Sequence, residues 1–289
     1  MNGTVSCNME RWPIPVTVVV PLYNEAEGIG HLATSLRRLE KSLRSRYVMH
    51  VLLVDDGSQD DTIAAVNRHF ASWPNVEVIQ HPTNYGVARA ILTGLRAAST
   101  EFVCSLDADC TYDPAILEPM LHFLEQGADL VTASPYHPEG QVGQVPPWRL
   151  ALSRGASALY RGVLGVGIHT FTSCCRAYRR SAILELPLRR DGFEGIAELL
   201  ARVVLEGGKV VEQPAVLDVR RHGQSKLRLL RTIGRHCGLL AELAAIRLLR
   251  AADPIKRPKR LIRHTGHPLA PRRHGHCFQT RNFLENHSP

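Results

Sequence analysis

The chain has 289 residues, a formal net charge of +8, 44% hydrophobic residues and 21% charged residues. Such values are ordinary for a folded protein of one or two domains and exclude a fibrous or globally disordered chain. The sequence holds no run of roughly 18 apolar residues and no basic start followed by an apolar run, so we expect neither a membrane-spanning helix nor a secretion signal. Its seven cysteines form no C-x-x-C pair, which is typical of a protein of the reducing cytoplasm.

The first half of the chain alternates short apolar runs with helical patterns. Residues 1–14 show no period and predict an irregular lead-in. Runs rich in Val, Ile and Leu predict buried strands at 16–22, 51–54, 76–79 and 102–106. Helices are predicted at 29–46, 62–70 and 87–98, the second opened by a capping box of Ser58 and Asp61. This alternation predicts an α/β domain with right-handed crossovers and a mainly parallel sheet covered by helices on both faces.

The same domain is predicted to continue to residue 226. Its second half contains a helix at 114–126, a strand at 130–132, a proline-rich loop at 135–148, helices at 149–164 and 193–205, and a strand at 210–212. From Arg220 onward the sequence holds 16 Lys and Arg against three Asp and Glu. The last 37 residues, 253–289, lack an apolar pattern and predict a disordered basic tail. The sign of this charge alone does not choose between nucleic acid, anionic lipid and no partner.

Acidic residues follow the predicted strands of the first half. Glu25 comes after the first strand, Asp55 and Asp56 after the second, and Asp107 and Asp109 after the fourth. Carboxylates gathered at one edge of a sheet destabilise an empty site unless a cation offsets them. The spacing of Asp107 and Asp109 favours Mg²⁺ or Mn²⁺, which prefer oxygen ligands. The alternative interpretation is a solvated acidic turn without a metal.

A weak dinucleotide-binding pattern competes with this interpretation. Residues 28–33 fit G-x-G-x-x-A, and Asp55 follows 22 residues after the pattern. The pattern indicates an NAD(P)-binding oxidoreductase. Its glycines, however, come six residues after the predicted strand ends, and Glu25 and Glu27 would face the pyrophosphate. Both points weigh against this function.

Several ordered motifs resemble family 2 glycosyltransferases of GT-A fold. They are PLYNE at 21–25, VDDGS at 54–58, NYG at 84–86 with Arg89 and Gly94, and LDAD at 106–109. TSCCRAYR at 172–179, Gly192-Phe193 with Glu198, and Arg220 with Ser225-Lys226 resemble the dolichol-phosphate and polyprenyl-phosphate mannose synthase branch. The resemblance runs from about residue 16 to residue 226 and implies a single GT-A catalytic domain over 15–226, with a Rossmann-like sheet.

The resemblance also implies a function and the residues that perform it. The expected reaction is a metal-dependent, inverting transfer of a sugar from a GDP- or UDP-sugar to dolichyl or undecaprenyl phosphate. Asp107 and Asp109 are expected to hold Mg²⁺ or Mn²⁺ together with the diphosphate. The nucleotide-sugar is expected to contact Pro21, Tyr23, Asn24, Glu25, Asp56, Gly86 and Arg89.

The acceptor phosphate needs cations. Where relatives have Gly-Ser-Arg-Tyr, residues 133–136 read Ala-Ser-Pro-Tyr, so one arginine is lost. We therefore expect Arg149, Arg220 and Lys226 to bind this phosphate. A phosphate monoester is already an anion at neutral pH and needs no strong general base. A hydroxyl acceptor on a glycan or lipid, the alternative function, requires a carboxylate base, for which Asp191, Glu194 and Glu198 are the candidates.

Residues 227–252 predict a basic amphipathic helix. Its expected apolar face consists of Leu229, Leu230, Ile233, Cys237, Leu240, Ala244 and Leu248. Such a helix is typical of a protein that lies on anionic lipid, which would place the enzyme peripherally on the cytoplasmic face of a membrane. The alternative is a helix packed on the sheet with a solvated basic face. We expect no nucleic-acid partner, and the sequence leaves the oligomeric state open.

Overall fold

A computed structural model describes residues 12–218 and 229–252. The strands are β1 (Ile14–Leu22), β2 (Tyr47–Asp55), β3 (Val76–Gln80), β4 (Phe102–Ser105), β5 (Leu130–Ser134), β6 (Gln141–Val142), β7 (Arg176–Arg179), β8 (Val210–Pro214) and β9 (Val216–Leu217). The α-helices are α1 (Ile29–Leu43), α2 (Thr62–Phe70), α3 (Val87–Ala97), α4 (Leu117–Glu125), α5 (Pro147–Leu164), α6 (Arg180–Leu184), α7 (Phe193–Leu205) and α8 (Leu229–Ala252). A 3₁₀ turn, Pro114–Ile116, precedes α4.

In this part of the chain, seven strands form a sheet of order β3-β2-β1-β4-β7-β5-β8. All pairs are parallel except those that β7 makes with β4 and β5. A second, two-stranded sheet pairs β6 with β9. The predicted fold class, a mainly parallel sheet between helices, is confirmed.

The two faces of β1 support two hydrophobic cores. Val18 and Val20 pack in one core with α1, α2 and α4, and Val19 packs in the other with α3, α5, α7 and α8. Burying a Val or Leu side chain contributes about 1.5–3 kcal/mol to folding. Gly94 of α3 allows the close approach on the second face, because a Cβ there would lie 2.3 Å from Val19 Cγ1. The Val-rich run of β1 is thus explained by burial on both sides.

One strand of the main sheet was not predicted, and one predicted helix cap is absent. Strand β7 was missed because its sequence, Arg-Ala-Tyr-Arg, has no apolar run, yet Arg176 and Tyr178 are both fully buried. The Arg176 guanidinium is accommodated by donating to the carbonyl oxygens of Phe171 (2.7 Å) and Ile196 (2.6 Å). Ser58 does not cap α2, because its Oγ accepts instead from the backbone N–H of Asn24.

Helix α8 packs against α5 and α7, whereas the alternative interpretation of this segment placed it on the sheet. Leu239 and Leu243 are fully buried in the second core, and Tyr160 Oη lies 2.8 Å from His236 Nδ1. The expected apolar face is divided, since Ile233 is partly exposed and Leu248 mostly exposed. Within residues 12–218 and 229–252 we find no helix that is long and apolar enough to cross a membrane. The predicted tail, 253–289, lies outside the described residues.

Candidate active site

The carboxyl ends of β1, β2 and β4 meet at one edge of the sheet. The backbone N–H of Asp56 donates to Leu22 O (2.8 Å), and that of Leu106 donates to Val19 O (3.1 Å). A cavity of about 1100 Å³ opens beyond this edge, where ligands bind in open α/β sheets. Its lining includes the expected residues Pro21, Tyr23, Asn24, Glu25, Asp56, Gly86, Asp107, Asp109 and Arg149.

The turn after β1 is held by side chains of the segment after β2. Asn24 adopts a positive φ of 52°, a conformation that asparagine tolerates better than most residues. Its backbone N–H donates to Ser58 Oγ (2.9 Å), and that of Glu25 donates to Thr62 Oγ1 (2.8 Å). These bonds fix the part of the chain from which Tyr23 and Glu25 line the cavity.

Asp56 anchors the start of α3. Its buried carboxylate accepts hydrogen bonds from the backbone N–H groups of Tyr85 (2.9 Å) and Gly86 (2.7 Å), and His81 Nδ1 lies 2.7 Å from Oδ1. Gly86 has a φ of 115°, and a Cβ there would lie 2.5 Å from Asp191 O. Only glycine therefore fits this wall of the cavity.

Arg89 does not line the cavity. Its Nε lies 2.8 Å from Asp191 Oδ1, and the backbone N–H groups of Ala88 and Arg89 donate to Asp191 O. Arg89 thus attaches the start of α3 to the segment before α7. The sequence predicted that Arg89 contacts the nucleotide-sugar; in the structure its guanidinium lies against Asp191 and outside the cavity lining.

Asp107 and Asp109 follow β4 and lie together in the lining. Asp109 Oδ1 accepts from the backbone N–H of Thr111 (3.1 Å). Cys110, which lies between Asp109 and Thr111, has a φ of 50°, and burial raises the pKa of its thiol to about 11. Among the described residues there is no cluster of three or more His, Cys, Asp or Glu side chains suited to a metal. The pair fits an ion such as Mg²⁺, which takes one or two carboxylates and completes its shell with water and substrate phosphates.

Helix α5 contributes Arg149 to the lining. The guanidinium carbon of Arg149 lies 6.0 Å from the centre of the Trp148 ring, and Trp148 itself is 53% exposed. One turn further, Ser153 Oγ lies 2.7 Å from Thr172 Oγ1, which joins α5 to the 170–174 wall. The other two expected phosphate ligands, Arg220 and Lys226, lie outside the described residues.

Glu198 lies away from the cavity. It is fully buried on α7, where Oε2 accepts from the backbone N–H groups of Arg189 (3.0 Å) and Arg190 (2.9 Å). Its Oε1 lies 3.3 Å from Arg202 Nη2. The structure does not bring Glu198 together with the other expected site residues; it holds the turn that precedes α7.

Asp218 and Arg235 are charged lining residues that were not expected from the sequence. Asp218 lines the cavity, and its backbone N–H donates to Thr111 O (2.9 Å). Arg235 reaches the cavity from α8 and pairs with Glu194 of α7 at 3.4 Å. The sequence showed Arg235 as one basic position of an amphipathic helix, but the orientation of that helix depends on tertiary packing.

Comparison with known sequences gives a match to a family model and matches to individual relatives. The model of the family named glycosyl transferase family 2 matches residues 17–186. The polyprenol monophosphomannose synthase of Mycolicibacterium smegmatis is 34% identical over 218 residues, which are 73% of this chain and 80% of the relative. The undecaprenyl-phosphate 4-deoxy-4-formamido-L-arabinose transferase of Pseudomonas syringae is 29% identical over 229 residues, 78% of this chain and 64% of the relative.

Solved structures match the fold. The glucosyl-3-phosphoglycerate synthase of Mycobacterium tuberculosis, crystallised with Mn²⁺, uridine diphosphate and glucosyl-3-phosphoglycerate, superposes with a TM-score of 0.60. The match covers 81% of this chain and 80% of that one at 21% identity. At this identity the likeness concerns the fold alone.

Proposed function

This chain belongs to glycosyl transferase family 2, and from that premise we propose that it transfers a sugar from a nucleotide-sugar to a polyprenyl phosphate. The observation that carries the proposal is the cavity at the carboxyl edge of the sheet. It combines strand-end carboxylates such as Asp107 and Asp109 with the arginines of α5 and α8. Family membership weighs against an NAD(P)-binding oxidoreductase. The position of Gly30 does so independently, because it lies inside α1 and not in a turn directly after β1.

The names of the relatives agree on a polyprenyl phosphate acceptor but differ in the sugar that is transferred. The M. smegmatis and P. syringae proteins are named for different sugars, mannose and a formamido-arabinose, but both names contain a polyprenyl phosphate or monophosphate. Exposed apolar side chains lie beside the cavity arginine of α5: Trp148 (53% exposed), whose ring is next to the Arg149 guanidinium, and Leu152 (37% exposed) one turn later. A cation beside an exposed apolar surface suits an acceptor with a phosphate head and a hydrocarbon chain.

The donor is proposed to bind along the ends of β1 and β2. Tyr23, Glu25 and Gly86 line that wall, and Asp56 holds its backbone in place. The donor is a GDP- or UDP-sugar. The structural neighbour from M. tuberculosis was crystallised with uridine diphosphate, but at 21% identity this does not decide between the two nucleotides for this chain.

Asp107 and Asp109 are proposed to hold the divalent metal and, through it, the donor diphosphate. When bound, Mg²⁺ or Mn²⁺ offsets the negative charge that develops on the departing diphosphate. The crystallisation of the M. tuberculosis neighbour with Mn²⁺ supports this assignment. Asp109 is prepared for the role because the N–H of Thr111 keeps its carboxylate in one orientation.

The chain's cations position the acceptor. The second pKa of a phosphate monoester is near 6, so the acceptor is an anion at neutral pH and attacks the anomeric carbon without a base. Arg149, Arg220 and Lys226 are proposed to hold it in line, because a guanidinium binds phosphate bidentately and an ammonium acts as a point charge. Attack from the side opposite the leaving diphosphate inverts the anomeric configuration.

We further propose that the enzyme works at the cytoplasmic face of a membrane, where such an acceptor is embedded. The exposed side chains Leu248 and Leu249 extend the apolar surface of α8, and Arg247 lies next to them. Apolar and basic side chains on one exposed helix are suited to anionic lipid.

A two-acceptor assay tests the proposed function. The full-length protein is incubated with Mn²⁺ and radiolabelled GDP- and UDP-sugars, and with either undecaprenyl phosphate or undecaprenol. Transfer to the phosphate predicts label in the organic phase with undecaprenyl phosphate and none with undecaprenol. No transfer to undecaprenyl phosphate from any of these donors would refute the proposal, and equal transfer to both lipids would favour the hydroxyl-acceptor alternative.

A further inference from the structure

The cavity holds few positive charges. Among the lining residues in the described part of the chain, two are cationic, Arg149 and Arg235. Six lining residues are acidic: Glu25, Asp56, Asp107, Asp109, Glu194 and Asp218. An acceptor phosphate that enters this cavity meets strong repulsion unless it lies against the cations. Arg235, as one of these two cations, is therefore a candidate ligand of that phosphate.

The position of Arg235 is set by the packing of α8. Leu239 and Leu243 are fully buried, and the next residue after Arg235, His236, lies against Tyr160 Oη at 2.8 Å. These contacts fix the rotation of the helix about its axis. Arg235 lies one turn before Leu239 on the same face of α8, so this packing directs it toward Glu194 of α7 and the cavity.

The Arg235 guanidinium is paired with Glu194 and has room beside Gly192. Arg235 Nη1 lies 3.4 Å from Oε1 of Glu194, whose side chain is 5% exposed, whereas the Arg235 side chain is 43% exposed. A Cβ on Gly192 would lie 3.0 Å from Arg235 Nη1 and 2.6 Å from Glu194 Oε2. The absence of a side chain at 192 thus makes room for this pair, and all three residues line the cavity.

We propose that Arg235 binds the acceptor phosphate together with Arg149. A guanidinium has five N–H donors in a planar fork, and the pair with Glu194 occupies one edge of it. The remaining donors suit bidentate binding of a phosphate. The 133–136 segment, Ala-Ser-Pro-Tyr, brings Pro135 and Tyr136 but no cation to the cavity, whereas α8 brings Arg235. This inference rests on the proposed function, because it assigns a ligand to the phosphate of its acceptor.

Arg235→Gln tests the contact. We expect the KM for undecaprenyl phosphate to rise about tenfold to hundredfold, as for a lost hydrogen-bonded charge pair, while the KM for the nucleotide-sugar changes less than twofold. Arg235→Lys is expected to recover part of the loss, since it restores the charge without the fork. The matched control is Arg250→Gln on the same helix, whose guanidinium donates to Leu205 O and to Glu206 Oε1 and does not line the cavity. An unchanged acceptor KM in Arg235→Gln would overturn the proposal.

A purely structural role of Arg235, to neutralise buried Glu194, makes a different prediction. In that case the double variant Glu194→Gln/Arg235→Gln would regain the wild-type acceptor KM, because no unpaired charge would be left. If Arg235 binds the phosphate, the acceptor KM of the double variant stays raised. Recovery to within twofold of wild type would overturn the proposal.

A binding measurement separates this inference from the proposed function. Calorimetry of the full-length protein with farnesyl phosphate, and with farnesol as the uncharged probe, does not depend on sugar transfer. We expect Arg235→Gln to weaken farnesyl phosphate binding at least tenfold and to leave farnesol binding unchanged. Equal binding of farnesyl phosphate by wild type and variant, or no binding by either, overturns the inference. Weakened binding in the variant without any transfer by the wild type retains the phosphate site and refutes the function.

Discussion

Replacement of Asp56 by asparagine removes the negative charge that holds the start of α3. The Asp56 carboxylate accepts two backbone N–H groups at 2.7 and 2.9 Å and is in contact with His81 Nδ1 at 2.7 Å. An asparagine keeps one acceptor oxygen, so its amide group would face a buried donor. Loss of one hydrogen bond to a charged group costs about 1.5–3 kcal/mol, and loss of a negative charge at a helix N-terminus costs about 0.3–1 kcal/mol. We therefore expect Asp56→Asn to lower the free energy of unfolding by about 2–4 kcal/mol.

Urea denaturation of the wild type and of two variants measures this effect. Asp55→Asn is the matched control, because the Asp55 carboxylate is equally buried but receives one N–H, that of Ser58, at 3.3 Å from both oxygens. Its expected cost is about 1 kcal/mol or less. Asp56→Asn should also raise the KM for the nucleotide-sugar, since the donor wall loses its anchor. Equal stability of Asp56→Asn and wild type, or a larger loss in Asp55→Asn, would refute the assignment of Asp56 as this anchor.

Three further predictions concern packing, the metal and pH. Gly94→Ala places a methyl group against Val19 and should lower the free energy of unfolding by about 1–3 kcal/mol; an unchanged thermal midpoint would contradict the close helix–strand contact. Asp109→Asn should lower kcat at least tenfold and raise the Mn²⁺ concentration needed for half-maximal activity after chelator treatment; full turnover in the metal-free variant would exclude a metal held there. Burial lowers the pKa of His236, so the unfolded chain binds a proton more readily and stability falls as the pH drops through the ordinary value near 6.5. His236→Gln, compared with wild type by urea denaturation at pH 7.5 and 5.5, should lose this part of the pH dependence, and an equal dependence in both proteins would contradict it.

The sequence predicted the elements whose hydrophobic pattern is local. The Val-rich run of β1 and the periodic pattern of α2 are found within two residues of the expected bounds. Strand β7 was missed because its burial depends on Arg176 finding carbonyl acceptors on the 171 segment and α7, which no local pattern reveals. Similarly, the apolar residues of α8 were assigned to one face, whereas packing on α5 and α7 selects Leu239 and Leu243.

The site residues also fall into those that a local sequence pattern predicts and those whose position depends on tertiary contacts. Carboxylates such as Asp107 and Asp56 were expected at the cavity because they follow parallel strands, and the sheet brings those ends together. Arg89 and Glu198 carry the resemblance to the family but serve the surrounding structure through Asp191 and the 189–190 backbone. Arg235 could not be assigned to the cavity, because its place depends on how α8 meets α7.

Isotope labelling of the acceptor tests most directly whether its phosphate attacks the sugar. Undecaprenyl phosphate with ¹⁸O in the three terminal oxygens of its phosphate is incubated with the enzyme, Mn²⁺ and the nucleotide-sugar, and the lipid product is analysed by mass spectrometry. Attack by the phosphate predicts a sugar phosphodiester that retains every labelled oxygen. A product that has lost a label, or labelled lipid that remains unchanged while sugar is attached to a hydroxyl group elsewhere, would contradict this mechanism.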